Sequence, residues 1–203
     1  MTKENSKPVN PKSVSPEDRE RASKFLLWLG IISMVMIFAA LTSAIIVRKS
    51  DSNWFTFEIP VEFTISTVVL LVSSITMVFA VFFTRKSKKW AATLFLFITL
   101  AIGSGFAWLQ FAGWNQLVKN NIYFVDNLTG NISGSFFYVV TALHLLHLFG
   151  GLLAVLITTI RSAAGKYTPS NYLGLKLCAI FWHFLDGLWL YLFLFLQFSD
   201  QII

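Results

Sequence analysis

Four side chains carry most of the chemistry available to this sequence: His144, His147, His183 and Asp186. His144 and His147 stand three residues apart, as do His183 and Asp186. That spacing puts two side chains on one face of a helix. Imidazoles and a carboxylate gathered in one place can pass a proton, tie helices together by hydrogen bonds or ligate a metal, so the elements that carry them decide which chemistry is open.

Those elements are long and apolar. The chain has 203 residues, 56% hydrophobic, 16% aromatic and 13% charged, with a mean hydropathy of +0.67, whereas a soluble domain carries about 25% charged residues. Of its 16 basic and 10 acidic residues, Asp186 alone falls inside five stretches, at 25–47, 62–84, 90–115, 136–160 and 177–199, with Glu62 at the edge of the second. Each is long enough to cross a hydrocarbon core as a helix, for which about 20 residues are needed. Apolar residues on all sides of these runs argue against the alternation of a membrane β-barrel. The expected fold is therefore an all-α integral membrane protein with five transmembrane helices.

Residues 1–24 read as a polar tail that turns helical near Ser15-Pro16-Glu17, where Ser15 can cap, Pro16 suits the first helical position and Glu17 and Asp18 favour the helix dipole. Basic residues set the orientation. Thirteen of them flank the N-terminal end of the first span and the loops joining spans two to three and four to five, against Arg48, Lys49 and Lys119 on the other side. By the positive-inside rule the N-terminus is cytoplasmic and residues 200–203 are periplasmic. The net charge of +6 belongs to short loops facing anionic lipid, so no nucleic-acid partner is expected.

At a rise of about 1.5 Å per residue, His147 on the fourth span and Asp186 on the fifth both lie roughly 14 Å from the cytoplasmic boundary of a core about 30 Å thick. Matched depth on consecutive helices predicts a His147–Asp186 contact, with His183 one turn nearer the cytoplasm. Taken alone, the groups read first as interhelical ties and second as a proton relay. Three histidines are too few for the ligand set of a binuclear haem and copper centre. One bis-histidine haem would need His144 or His147 to face His183, and the acid beside His183 favours a polar cluster instead. No metal site is expected. Cys178, the single cysteine, reads as a small packing residue. Gly103 and Gly105, and Gly150 and Gly151, read as seams of close helix approach. Trp54, Trp90, Trp114 and Tyr138 read as interface anchors.

The stretch Trp182-His183-Phe184-Leu185-Asp186, followed by Trp189, resembles the signature of the last helix of subunit III of haem-copper respiratory oxidases. Gly134-Ser135-Phe136-Phe137-Tyr138, then Thr141 to His147 and Gly150-Gly151, is similar to an upstream segment of that family. Weaker echoes run through 70–76 and through Gly103 to Trp114, with Gln110. Five spans fit the short bacterial form, which lacks two N-terminal helices of the longer one. Two positions depart from the pattern: Met34 follows Ser33 where the family has a buried glutamate, and Gly113 precedes Trp114 where it has an acid.

The resemblance implies a multi-pass protein of the bacterial cytoplasmic (inner) membrane that carries no cofactor of its own. It implies packing against a haem-bearing subunit I, with haems and copper in partner subunits, and contacts with other oxidase subunits. Bound phospholipid, support of proton uptake and stabilisation of the core also follow from it, within a complex that reduces oxygen to water with electrons from cytochrome c or quinol. A respiratory supercomplex is a further assembly it leaves open. The alternatives are a similar accessory protein of another haem-copper enzyme, such as nitric oxide reductase, or a stand-alone small membrane transporter.

Overall fold

The structure, a computed structural model, describes residues 15–49, 58–124 and 132–202. Residues 1–14, most of the expected tail, lie outside them, as does Trp54. Five helices follow in order: α1 (Pro16–Arg48), α2 (Val61–Arg85), α3 (Lys89–Lys119), α4 (Ile132–Ala163) and α5 (Leu173–Ile202). All five are long and apolar enough to cross a membrane. Among the described residues the one departure from helix and loop is an isolated bridge between Thr168 and Asn171.

Local signals explain the helix ends. Ser15 caps α1 as expected, its Oγ accepting from the Asp18 N–H at 3.1 Å, so α1 runs through the polar segment and the apolar span as one helix of 33 residues. Between α2 and α3, Ser87 adopts a left-handed φ of 59°, and the Ser87 and Lys88 amides bond back to the Thr84 and Phe83 carbonyls. That tight reversal makes the two helices antiparallel neighbours. After α4, Gly165 takes φ +68°, where a side chain would be strained, and its amide and that of Lys166 close the helix on Ser162 and Arg161.

The helices α2, α3, α4 and α5 pack in a ring, each against the next and α5 back against α2, while α1 lies outside against α4 and α5. Accordingly α1 buries one stripe, Ile31, Met34, Phe38, Thr42 and Ile45, and leaves Trp28, Val35 and Met36 exposed. Spacings of three and four are those of a single inward face.

At the centre of the ring sits Trp182, fully buried. Its indole Nε1 donates to the Ser73 hydroxyl of α2 at 3.1 Å, and its ring lies on two glycines. A Cβ on Gly103 of α3 would stand 2.6 Å from Trp182 Cη2, and one on Gly151 of α4 would stand 2.7 Å from Leu185 and 3.5 Å from the indole. One side chain therefore touches α2, α3 and α4. The expected glycine seams are halved: Gly105 and Gly150 have nothing within 4 Å of such an atom. Near neighbours on a helix point in different directions, and only one of each pair can face α5.

Gly103→Ala is thus expected to destabilise the protein by about 1–3 kcal/mol through overpacking, and Gly105→Ala to leave stability unchanged or slightly raised. SDS-induced unfolding of the two purified variants measures the difference; equal behaviour would contradict the close approach at Gly103.

Candidate functional site

The four sequence-selected ionisable residues form two groups rather than one. On α4, His144 is fully buried and neither ring nitrogen has a hydrogen-bond partner among the described residues. Aromatic rings surround it: Trp189 at 4.9 Å between centroids, Phe106 at 6.2 Å and Phe38 at 6.4 Å. One turn on, His147 donates from Nδ1 to the Leu143 carbonyl at 2.7 Å, a bond within its own helix, and meets Phe38 at 5.8 Å.

The second group lies between α2 and α5. His183 Nδ1 and the Ser74 hydroxyl share a hydrogen bond of 2.6 Å. Asp186 is 3% exposed, and neither carboxyl oxygen has a hydrogen-bond partner among the described residues. The expected His147–Asp186 bond is therefore not formed. Matched depth gave one coordinate and rotation decides the other, because the face of α5 that carries His183 and Asp186 turns toward α2 while His147 turns toward α1. Among the described residues no ion pair reaches either group, and no set of three or more His, Cys, Asp or Glu side chains is placed to hold a metal.

What the arrangement offers chemically is a hydroxyl bonded to an imidazole, Ser74 to His183, with the Asp186 carboxyl one turn along the same face of α5. A proton can be exchanged through such a hydroxyl, which both donates and accepts. His144, by contrast, is packed as an aromatic ring.

Hydroxyls of α2 complete the site. Along α2, Ser66 accepts from Gln110 Nε2 at 2.9 Å and Thr67 from Trp189 Nε1 at 2.9 Å, Ser73 takes Trp182, Ser74 takes His183, and Thr76 bonds Thr99 at 2.7 Å. Sequence contained a signal for them, since Ser66-Thr67 and Ser73-Ser74 are hydroxyl pairs seven residues apart, which keeps them on one side of the helix. Trp114 and Tyr138, expected as interface anchors, make hydrogen bonds within the bundle. Trp114 Nε1 donates to Thr141 at 3.1 Å and Tyr138 Oη to the Ile122 carbonyl at 3.0 Å. Trp90 is 79% exposed.

Both positions that depart from the family pattern are filled by apolar matter. Met34 is buried one turn from Phe38 on the inward stripe of α1. At Gly113 a Cβ would lie 2.5 Å from the ring of Phe63, itself stacked on Trp189 at 6.4 Å. No acidic side chain fits there while Phe63 holds that place.

These features define a multi-pass, all-helical membrane protein with a buried ring of tryptophans, hydroxyls and histidines. Residues 20–200 match the sequence model of cytochrome c oxidase subunit III, and the chain belongs to that family. It is 31% identical to a probable cytochrome c oxidase subunit 3 of Nocardia farcinica, over 83% of this chain and 82% of the relative. Identity to the cytochrome c oxidase subunit 3 of Bacillus sp. strain PS3 is 29%, over 86% and 84%. For the corresponding subunit of Bacillus subtilis it is 26%, over 92% and 89%. As an oxidase subunit 3 the chain has its place in a complex with other oxidase subunits.

Replacing His144 by Leu, which removes two unpartnered nitrogens, is expected to change stability by less than about 1.5 kcal/mol. Ser74→Ala strands the His183 nitrogen and is expected to cost about 1–3 kcal/mol. Unfolding measurements on the two variants check the order; the reverse order would show that His144 has a polar partner.

Proposed function

We propose that this chain is the non-catalytic accessory subunit of a proton-pumping cytochrome c oxidase, seated in a bacterial cytoplasmic membrane with its N-terminus inside. The observation that carries this reading is the family match over residues 20–200, with the Trp182–Trp189 motif at the centre of the bundle. Haems and copper reside in partner subunits, and this chain stabilises the haem-bearing subunit and supports its proton supply. The asymmetry of the basic loops supports the orientation.

Three features support the finer roles. An apolar outer face on α1, with Trp28, Ile32 and Met36 exposed, offers area for a partner or for lipid. Two grooves suit acyl chains: one of about 880 Å³ between α1 and α4, lined by Ile37, Leu41, Tyr138 and Leu146, and one of about 430 Å³ lined by Leu27, Ile157, Leu177 and Phe181, with Arg161 available to a phosphate. The Ser74–His183–Asp186 group supplies the ionisable chemistry.

Purification of the tagged chain from membranes is expected to bring with it a polytopic subunit with a haem absorption spectrum; recovery alone would overturn the proposal. In that complex, Asp186→Asn is expected to lower the yield and durability of the oxidase while leaving initial turnover within about twofold of wild type, less than 1 kcal/mol in the barrier. Normal haem content with a large loss of initial turnover would instead place Asp186 on a proton path that limits the rate.

A further inference from the structure

Helices α2 and α4 stand across the ring from one another. At the end remote from the basic loops they meet through Phe63 and Phe137, whose ring centroids are 5.1 Å apart. At the basic end they line one small cavity of about 10 Å³, formed by Thr84 of α2, Lys89 and Ala92 of α3, Ser162 of α4 and Tyr167 of the following loop, with Ser87 beside them. Thr84, Ala92 and Ser162 are buried, whereas Ser87 and Lys89 are exposed and stand at the rim. Lys89 Nζ lies 3.7 Å from where a Cβ on Gly165 would be, so its ammonium rests against the turn that ends α4.

The directions of the hydrogen bonds fix what the two buried hydroxyls can still offer. A hydroxyl donates one hydrogen and accepts through two lone pairs. Thr84 Oγ1 donates to the Ala80 carbonyl at 2.9 Å. Thr93 Oγ1 donates to the Lys89 carbonyl at 3.0 Å, so Ser162 is the donor in the 2.8 Å bond that it shares with Thr93. Thr84 and Ser162 have thus committed their hydrogens elsewhere and have only acceptor lone pairs left for an occupant of the cavity. A small anion brings no hydrogens and would meet those lone pairs. A metal cation would find two neutral oxygens and an ammonium beside it, where hard cations take about six oxygens or more. The volume suits one water molecule and nothing larger. We propose that this cavity is a binding site for a single water, which donates one hydrogen to Thr84 Oγ1 and the other to Ser162 Oγ and accepts from the Lys89 ammonium. About three bonds is the usual complement of a buried water, and such a bridge is nearly as favourable as a direct hydrogen bond. The water links α2 to α4 at the basic end of the ring, as Phe63 and Phe137 do at the other end and Trp182 does between α2, α3 and α4 at the centre.

The test is cryo-electron microscopy of the complex purified through this chain, at a resolution where ordered water is visible, on wild type, Thr84→Val and Thr84→Ser. Wild type is expected to show one peak within about 3.2 Å of both Thr84 Oγ1 and Ser162 Oγ. Thr84→Val keeps the shape and removes an acceptor, so the peak is expected to be lost; Thr84→Ser is expected to retain it. Hydrogen exchange gives a second reading at the Gly165 and Lys166 amides, which close α4 on Ser162 and Arg161. Their exchange is expected to quicken about tenfold in Thr84→Val and to stay at the wild-type rate in Thr84→Ser, the factor for one ordinary hydrogen bond lost from the segment that opens. No peak in wild type, the Lys89 ammonium itself in that place, a peak that persists in Thr84→Val, or equal exchange in the two variants would each overturn the proposal. A peak that strengthens when bromide replaces chloride would overturn the water and assign an anion. The wild-type map decides the matter should a variant not assemble.

Discussion

The fold depends on the line of hydroxyls along α2. Inside a hydrocarbon slab there is little hydrophobic force between one apolar helix and another, so association rests on close packing and on polar groups that find each other. Ser66, Thr67, Ser73, Ser74 and Thr76 each take a partner from another helix: Gln110 and Thr99 on α3, Trp189, Trp182 and His183 on α5. Individually such bonds average about 0.6 kcal/mol in a membrane protein. Their value lies in register. Five bonds at different heights on one helix hold α3 and α5 at fixed heights and rotations, which a smooth apolar surface cannot do.

Register then makes the steric fit around Trp182 available. A bulky indole can be fully buried among three helices only where glycines remove Cβ atoms from its path, at Gly103 and Gly151, and only if α5 sits at the height that presents it to both. Hydrogen bond and close approach therefore reinforce one another: Trp182 Nε1 reaches Ser73 because the glycines admit the ring. Helix α1 takes part in neither. It packs on α4 and α5 through one stripe, in which Phe38 covers both His144 and His147, and leaves the rest of its circumference apolar and uncovered by this chain.

Much of this was legible in the sequence, and the part that was not has a common cause. Five spans followed from where the charges are absent, the start of α1 from Ser15-Pro16-Glu17, and the central motif from Trp182 to Trp189. Each of these is a statement about position along one helix. The His147–Asp186 pairing failed because it needed the rotation of two helices about their axes, and that is set by α2 hydroxyls whose partners lie far away in sequence, as with Ser74 and His183. Gly105 and Gly150 failed for the same reason: composition identifies a small residue, and packing decides which way it faces.

The two departures from the family pattern acquire a physical meaning in this light. With Met34 on α1 and Phe63 over Gly113, apolar groups occupy the places where carboxylates are expected, next to the aromatic cage of His144. A histidine with no acid to bond is tolerable there as a ring among rings, edge to face with Phe106 and tilted against Trp189. The ionisable chemistry within the spans is thereby concentrated on α5, where His183 bonds Ser74 of α2 and Asp186 follows one turn further on. A function that needs a carboxylate within this membrane interior must therefore act through Asp186, the one charge that the spans retain, and through the helix contact that presents it.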